Sequence, residues 1–189
     1  IGIWIRSGSR YENAKNNGIS HLLEHLLFKG TETRDMKKIK EEIEGRGGSF
    51  NGFTTEEFTC YLVKLLAKDA QLGVDILSDM VLQPRLDAKE VEKEKSVIIE
   101  EINMYKDIPA QYVHEILSEM LWPKQPLGLP LAGSVESVNS ITREDVVAYK
   151  ERFYNPNNML LIGAGRIKED ELLPLAKKYL SKVPAKETP

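Results

Sequence analysis

The chain has 189 residues, of which 41% are hydrophobic and 29% charged, and its formal net charge is −3. That balance fits one soluble globular domain with a core of ordinary size and gives no basis for nucleic acid or an anionic membrane as a partner. A single cysteine, Cys60, excludes an internal disulfide framework, and no apolar run approaches the roughly 18 residues of a membrane-spanning helix.

Ile1, Ile3 and Ile5 alternate with Gly2, Trp4 and Arg6, the period of a sheet strand. A polar loop, Ser7–Gly18, leads into Gly18-Ile-Ser-His-Leu-Leu-Glu-His-Leu-Leu-Phe-Lys-Gly30, which reads as a helix with Asn17 or Ser20 as N-cap. A second helix is expected over 35–44, capped by Asp35 and stopped at Gly45–Gly48. Strands follow at 49–53 and 58–65. Asp69 is placed to cap a helix reaching Leu82. Asp87-Ala-Lys-Glu90 resembles a capping box opening a long helix to about Tyr105. A shorter helix spans 110–121, and 124–139, rich in Pro, Gly and Ser, reads as a loop. Ser140 or Thr142 caps a helix to Phe153; Asn155–Asn158 is a turn, 159–165 a strand, and 169–180 a last amphipathic helix. Strands and helices that do not alternate regularly point to α+β, a mainly antiparallel sheet with helices packed on one face.

His21, Glu24 and His25 spell His-x-x-Glu-His and hold two of the chain's three histidines. At about 100° per residue they share one arc of the helix, while Leu22, Leu23, Leu26 and Leu27 cover the rest. Such a helix is a buried one, and burying unpaired imidazoles beside a carboxylate costs several kcal/mol. A metal ion offsets that cost. Two histidines one turn apart suit Zn²⁺, and the adjacent Glu24 suits a general base for a zinc-activated water. A bare amphipathic helix with a His-Glu-His polar face is the plainer alternative, and the pattern is the inverzincin signature.

A catalytic zinc takes three protein ligands. Cys60 lies in a strand and reads as a small buried residue; His114 reads as a packed or surface histidine. On the helix from Asp87, Val91, Glu94, Ile98, Glu101 and Tyr105 fall on one face, with Glu100 turned away. Glu101 is then the candidate ligand, and Glu94 a carboxylate able to hydrogen-bond a ligating imidazole. Spacing alone leaves a solvated acidic face equally open.

The stretch from Gly18 to Thr31 resembles the zinc-site segment of the M16 (pitrilysin-like) metallopeptidases, a family of LuxS/MPP-like half-domains. In that family a distal Glu ligand follows after about 75 residues; between His25 and Glu101 lie 75. Glu94–Asp107 resembles the family's second motif. Gly47–Thr54, Leu131-Ala-Gly-Ser134 and Tyr154–Met159 match as well, with Gly52 standing where Ala is common. The resemblance implies a metalloendopeptidase domain over 1–183, lacking its first strand, with 184–189 starting a linker to a missing second half. It implies one Zn²⁺ on His21, His25 and Glu101, with Glu24 as base and Glu94 behind a histidine. An extended peptide substrate would add along Asn51, Gly52, Phe53 and Thr54. It also implies a second half-domain or partner subunit, with a dimer possible, that supplies further substrate contacts. A non-catalytic peptide-binding or scaffold half is the alternative, and a structural zinc domain lacks the four Cys or His ligands it needs. Cysteine usage suits the cytoplasm or, alternatively, the mitochondrial matrix.

Overall fold

The alternation at the start becomes β1 (Gly2–Ile5), the strand through which the sheet is joined. With β2 (Ser49–Thr54), β3 (Thr59–Lys64) and β4 (Met159–Ile162) it forms a sheet of order β2-β3-β1-β4, antiparallel at each pairing. The computed structural model describes residues 1–181, so the expected linker at 184–189 lies outside the described residues, as does the boundary at 183.

One face of the sheet carries Ile3, Ile5, Tyr61 and Val63, all buried. Helices cover it: α1 (Ile19–Leu27), α2 (Met36–Glu44) and α3 (Ala70–Leu82) meet the strands. Behind them, α4 (Ala88–Lys106) packs on α1 and on α5 (Pro109–Leu121). Then come α6 (Val135–Ser140) against α4, α7 (Arg143–Phe153) against α1, and α8 (Glu169–Leu180) against α3. Burying a Leu or Ile side chain contributes roughly 1.5–3 kcal/mol, so the leucines of α1 fix that helix to the sheet. The opposite sheet face leaves Leu160 and Ile162 exposed. The α+β architecture with helices on one face is as the sequence implies. Among the described residues, no helix is long and apolar enough to cross a membrane.

Several caps differ from the local reading. α1 has Gly18 at its N-cap, in the left-handed region at φ 93°, with no side-chain bond. Neither Asn17 nor Ser20 caps it. Glu12 reaches in from the loop instead, accepting from the backbone N–H of Gly18 at 2.8 Å and of Ser20 at 2.9 Å. Hydrogen bonds to a charged group contribute roughly 1.5–3 kcal/mol each, and a carboxylate also suits the positive end of the helix dipole. Asn17 donates to Glu12 and to the Pro130 carbonyl, while the Ser20 hydroxyl pairs with that of Tyr149. A Cβ on Gly18 would lie 2.6 Å from the Ala132 carbonyl, and one on Gly133 would lie 2.6 Å from that of Asn17. The 130–134 segment is thus clamped against the start of α1.

Asp69 makes no cap bond to α3; its carboxylate accepts from Arg46 at 2.9 Å. Asp87 caps nothing with its side chain, so no capping box forms on α4. The stretch 124–139 is not all loop. It holds a 3₁₀ turn at Pro126–Gly128 and most of α6, whose capping box pairs Ser134 with Ser137. β4 ends at Ile162 rather than at 165. Asp35 and Thr142 do cap α2 and α7.

Candidate metal centre

α1 buries Leu22, Leu23, Leu26 and Leu27 completely, so its remaining arc turns His21 and His25 toward α4 and Glu24 toward β2. On α4 the stripe Val91, Glu94, Ile98, Glu101 and Tyr105 is buried or half-buried, whereas Glu100 is exposed. Helix phase thereby brings Glu101 to the histidines. Its Oε2 lies 3.7 Å from His21 Nε2 and 3.6 Å from His25 Nε2. The three donor atoms all lie within 4.8 Å of one another, and no other trio of His, Cys, Asp or Glu among the described residues does so. Two donors on one tetrahedral zinc ion sit roughly 3.4 Å apart for bonds near 2.1 Å. The donor set and its spacing fit that ion.

Glu94 lies behind His25. Its side chain is 2% exposed, and Oε2 pairs with His25 Nδ1 at 3.2 Å. With Nδ1–H donating to the carboxylate, the Nε2 lone pair of His25 faces Glu101. Lys29, just past the end of α1, holds the other oxygen of Glu94 at 2.7 Å. Burial alone would push the Glu94 carboxyl up, but the bonds from His25 and Lys29 outweigh it and hold it below the usual range. Burial also opposes the charged form of His25, yet Glu94, Glu24 and Glu101 together raise its pKa. His21 is pulled down to about 4 by burial and by the neighbouring His25. A neutral imidazole is the form that binds a metal. The Glu24 carboxyl is pushed up chiefly by burial, with a smaller contribution from Glu101 and partial relief from Thr54 and His25.

β2 forms the sheet edge beside this cluster. Its alternation directs Gly52 and Thr54 toward Glu24 and puts Asn51 and Phe53, both exposed, on the other face. The Thr54 hydroxyl donates to Glu24 Oε2 at 2.6 Å. A Cβ on Gly52 would sit 3.2 Å from Glu24 Cγ and 2.8 Å from the Phe28 ring, so the missing side chain leaves Glu24 its room. Glu24, His25, Phe28, Lys29, Phe50, Asn51, Gly52 and Glu94 line an open pocket of about 290 Å³.

The structure brings together His21, Glu24, His25, Glu94 and Glu101, and places Asn51–Thr54 on an adjoining edge strand. His114 is exposed on α5, and Cys60 is buried in β3. Sequence reasoning missed Lys29 and the inward aim of Thr54. Strand alternation across 49–54 holds the signal for Thr54; for Lys29 there is none, because its partner lies on another helix.

A family model described as Insulinase (Peptidase family M16) matches residues 1–135, and one described as Peptidase M16 inactive domain matches residues 140–189. The two stretches share one sheet, since β4 from the second pairs with β1 from the first. The chain is 39% identical over 186 residues to an uncharacterized zinc protease, YmxG, of Bacillus subtilis, covering 98% of this chain and 45% of that protein. It is 40% identical over 189 residues to the mitochondrial-processing peptidase subunit beta of Saccharomyces cerevisiae, covering 100% of this chain and 41% of that one. A putative M16-like peptidase from Alicyclobacillus acidocaldarius superposes with a TM-score of 0.87 at 30% identity, covering 100% of this chain and 45% of that structure. The chain thus spans less than half the length of each of these relatives.

Proposed function

The chain belongs to peptidase family M16, and we propose that it is the zinc-bearing half of a metalloendopeptidase that hydrolyses extended peptides. The observation that carries this reading is the convergence of His21, His25 and Glu101 beside a buried carboxylate, Glu24, on the same helix. His21, His25 and Glu101 would hold one Zn²⁺ per chain. When bound, that ion supplies Lewis-acid activation of water and of the scissile carbonyl. Glu94, gripped by Lys29, orients the His25 ring.

Glu24 has Oε2 engaged by Thr54, while Oε1 has no hydrogen-bond partner among the described residues. Oε1 therefore takes the proton from the attacking water as the water oxygen bonds to the carbonyl carbon. Glu24 then returns that proton to the leaving nitrogen as the C–N bond breaks. In the metal-free chain burial pushes the Glu24 carboxyl up, and a base that must also donate works best near the operating pH. The substrate would lie as an added strand along β2 at Asn51, Gly52 and Phe53, whose position at the sheet edge leaves it open to pairing.

A second half-domain or partner subunit completes the substrate site in this reading. The partial coverage of the relatives supports it, as do the exposed apolar residues Val113, Leu117 and Met120 on α5. A dimer is the other form such a partnership takes. Buried Cys60 as the single thiol matches a reducing compartment, the cytoplasm or the mitochondrial matrix.

The test uses the full-length protein and a set of extended peptides. Stripping the metal with a chelator is expected to abolish hydrolysis, and one equivalent of Zn²⁺ to restore it. Hydrolysis unaffected by the chelator contradicts the reading. Zinc binding without any cleavage favours the peptide-binding or scaffold alternative.

A further inference from the structure

We propose that Thr54 is a positioning residue for Glu24, fixing one carboxylate oxygen so that the other is presented to water; this rests on the peptidase reading above. Thr54 stands in the substrate strand by sequence, yet its side chain is turned away from that role. It is only 8% exposed, and its hydroxyl donates to Glu24 Oε2 at 2.6 Å, a short charge-assisted bond.

The donor is held from behind. Thr54 is the residue directly opposite Thr59 in the β2–β3 register, and the two hydroxyls lie 3.5 Å apart. Thr59 in turn donates to the Ser7 carbonyl at 3.1 Å and lies 3.3 Å from the Ser7 hydroxyl. A backbone ladder and a buried hydroxyl cluster thus fix the Thr54 side chain with its proton aimed at Glu24. At Gly52, two residues earlier on the same face of β2, a Cβ would come within 3.2 Å of Glu24 Cγ, so the glycine leaves the side chain room to reach Thr54.

A carboxylate free to rotate presents its two oxygens to water interchangeably and in many orientations. One pinned at Oε2 presents Oε1 in one orientation. Holding a proton acceptor in place contributes to rate, and misplacement by about 1 Å can cost roughly 100-fold. Among the described residues the Thr54 side chain makes no hydrogen bond to His21, His25 or Glu101, so its effect passes through Glu24.

The experiment compares Thr54→Val, which keeps the shape and removes the donor, with Thr54→Ser, which keeps the donor, in the full-length zinc-loaded protein. Zinc content, thermal midpoint, kcat and KM are measured for each. Thr54→Val is expected to lower kcat roughly 10- to 100-fold with KM and zinc content unchanged, and Thr54→Ser to retain most of kcat. Thr54→Ala, which also lacks the donor, is read instead should the valine variant fail to fold. Full kcat in Thr54→Val overturns the proposal. So does a loss confined to KM, which makes Thr54 a substrate contact, or an equal loss in Thr54→Ser, which makes the role one of shape. If the wild type binds zinc and cleaves nothing, the peptidase reading falls and carries this inference with it. If the wild type cleaves and Thr54→Val cleaves equally well, this inference alone falls.

Discussion

Glu24→Gln is expected to leave zinc content at the wild-type level while lowering peptide hydrolysis by roughly 100- to 10,000-fold, the usual contribution of a positioned general base. The substitution is nearly isosteric. Its amide oxygen still accepts from the Thr54 hydroxyl, so the contact that orients the side chain survives. What disappears is the ability to take a proton from water and return it. Stability should hold or rise in the metal-free protein. Burial already disfavours the charged form of Glu24, and a neutral amide avoids that cost. The check is elemental analysis for zinc beside kcat on one peptide. Retained hydrolysis at full zinc loading removes Glu24 from the role of base.

Glu101→Gln should act on the metal itself. Replacing a charged donor by a neutral amide in a set of three is expected to weaken zinc binding by roughly 100-fold or more, since a structural site distributes about 10–16 kcal/mol over its ligands. Glu100→Gln is the matched control: the same chemistry one residue away, on an exposed side chain. It should bind zinc as the wild type does. Competition with a chromophoric chelator reads both affinities. Loss in Glu100→Gln with retention in Glu101→Gln would mean that α4 is phased differently from the stripe Val91, Glu94, Ile98, Glu101 and Tyr105.

Much of this arrangement is legible in the amino-acid order because it depends on short-range periodicity. The alternation of Ile1, Ile3 and Ile5 marks one face as apolar; Ile3 and Ile5 of β1 lie in the core, and Ile1, partly buried, packs against it. The 3.6-residue period aligns His21 with His25 on α1 and Glu94 with Glu101 on α4. Family resemblance then joins the two helices, which periodicity alone cannot do.

What escaped is what tertiary folding decides. Glu12 caps α1 from six residues ahead of Gly18 because the loop folds back on the helix end, and no local cap rule reaches that far. Asp87, followed by Glu90, has the spacing of a capping box, yet its side chain makes no cap bond. α6 is only six residues long, too short to show a hydrophobic period, and its box uses Ser137 where the motif expects Glu or Gln. Along Asn51–Thr54 the pleat turns the Thr54 side chain to Glu24 and leaves Asn51 and Phe53 exposed. Strand alternation carries that division, but the identity of the group Thr54 meets is set by how α1 packs on β2.

The central claim is that one zinc ion is held by two imidazoles and one carboxylate beside Glu24. A zinc-edge X-ray absorption spectrum of the full-length protein loaded with one equivalent of Zn²⁺ tests it most directly. The account predicts a shell of nitrogen and oxygen only, with the outer scattering of two imidazole rings. A sulfur neighbour, or the scattering of fewer than two rings, would contradict it.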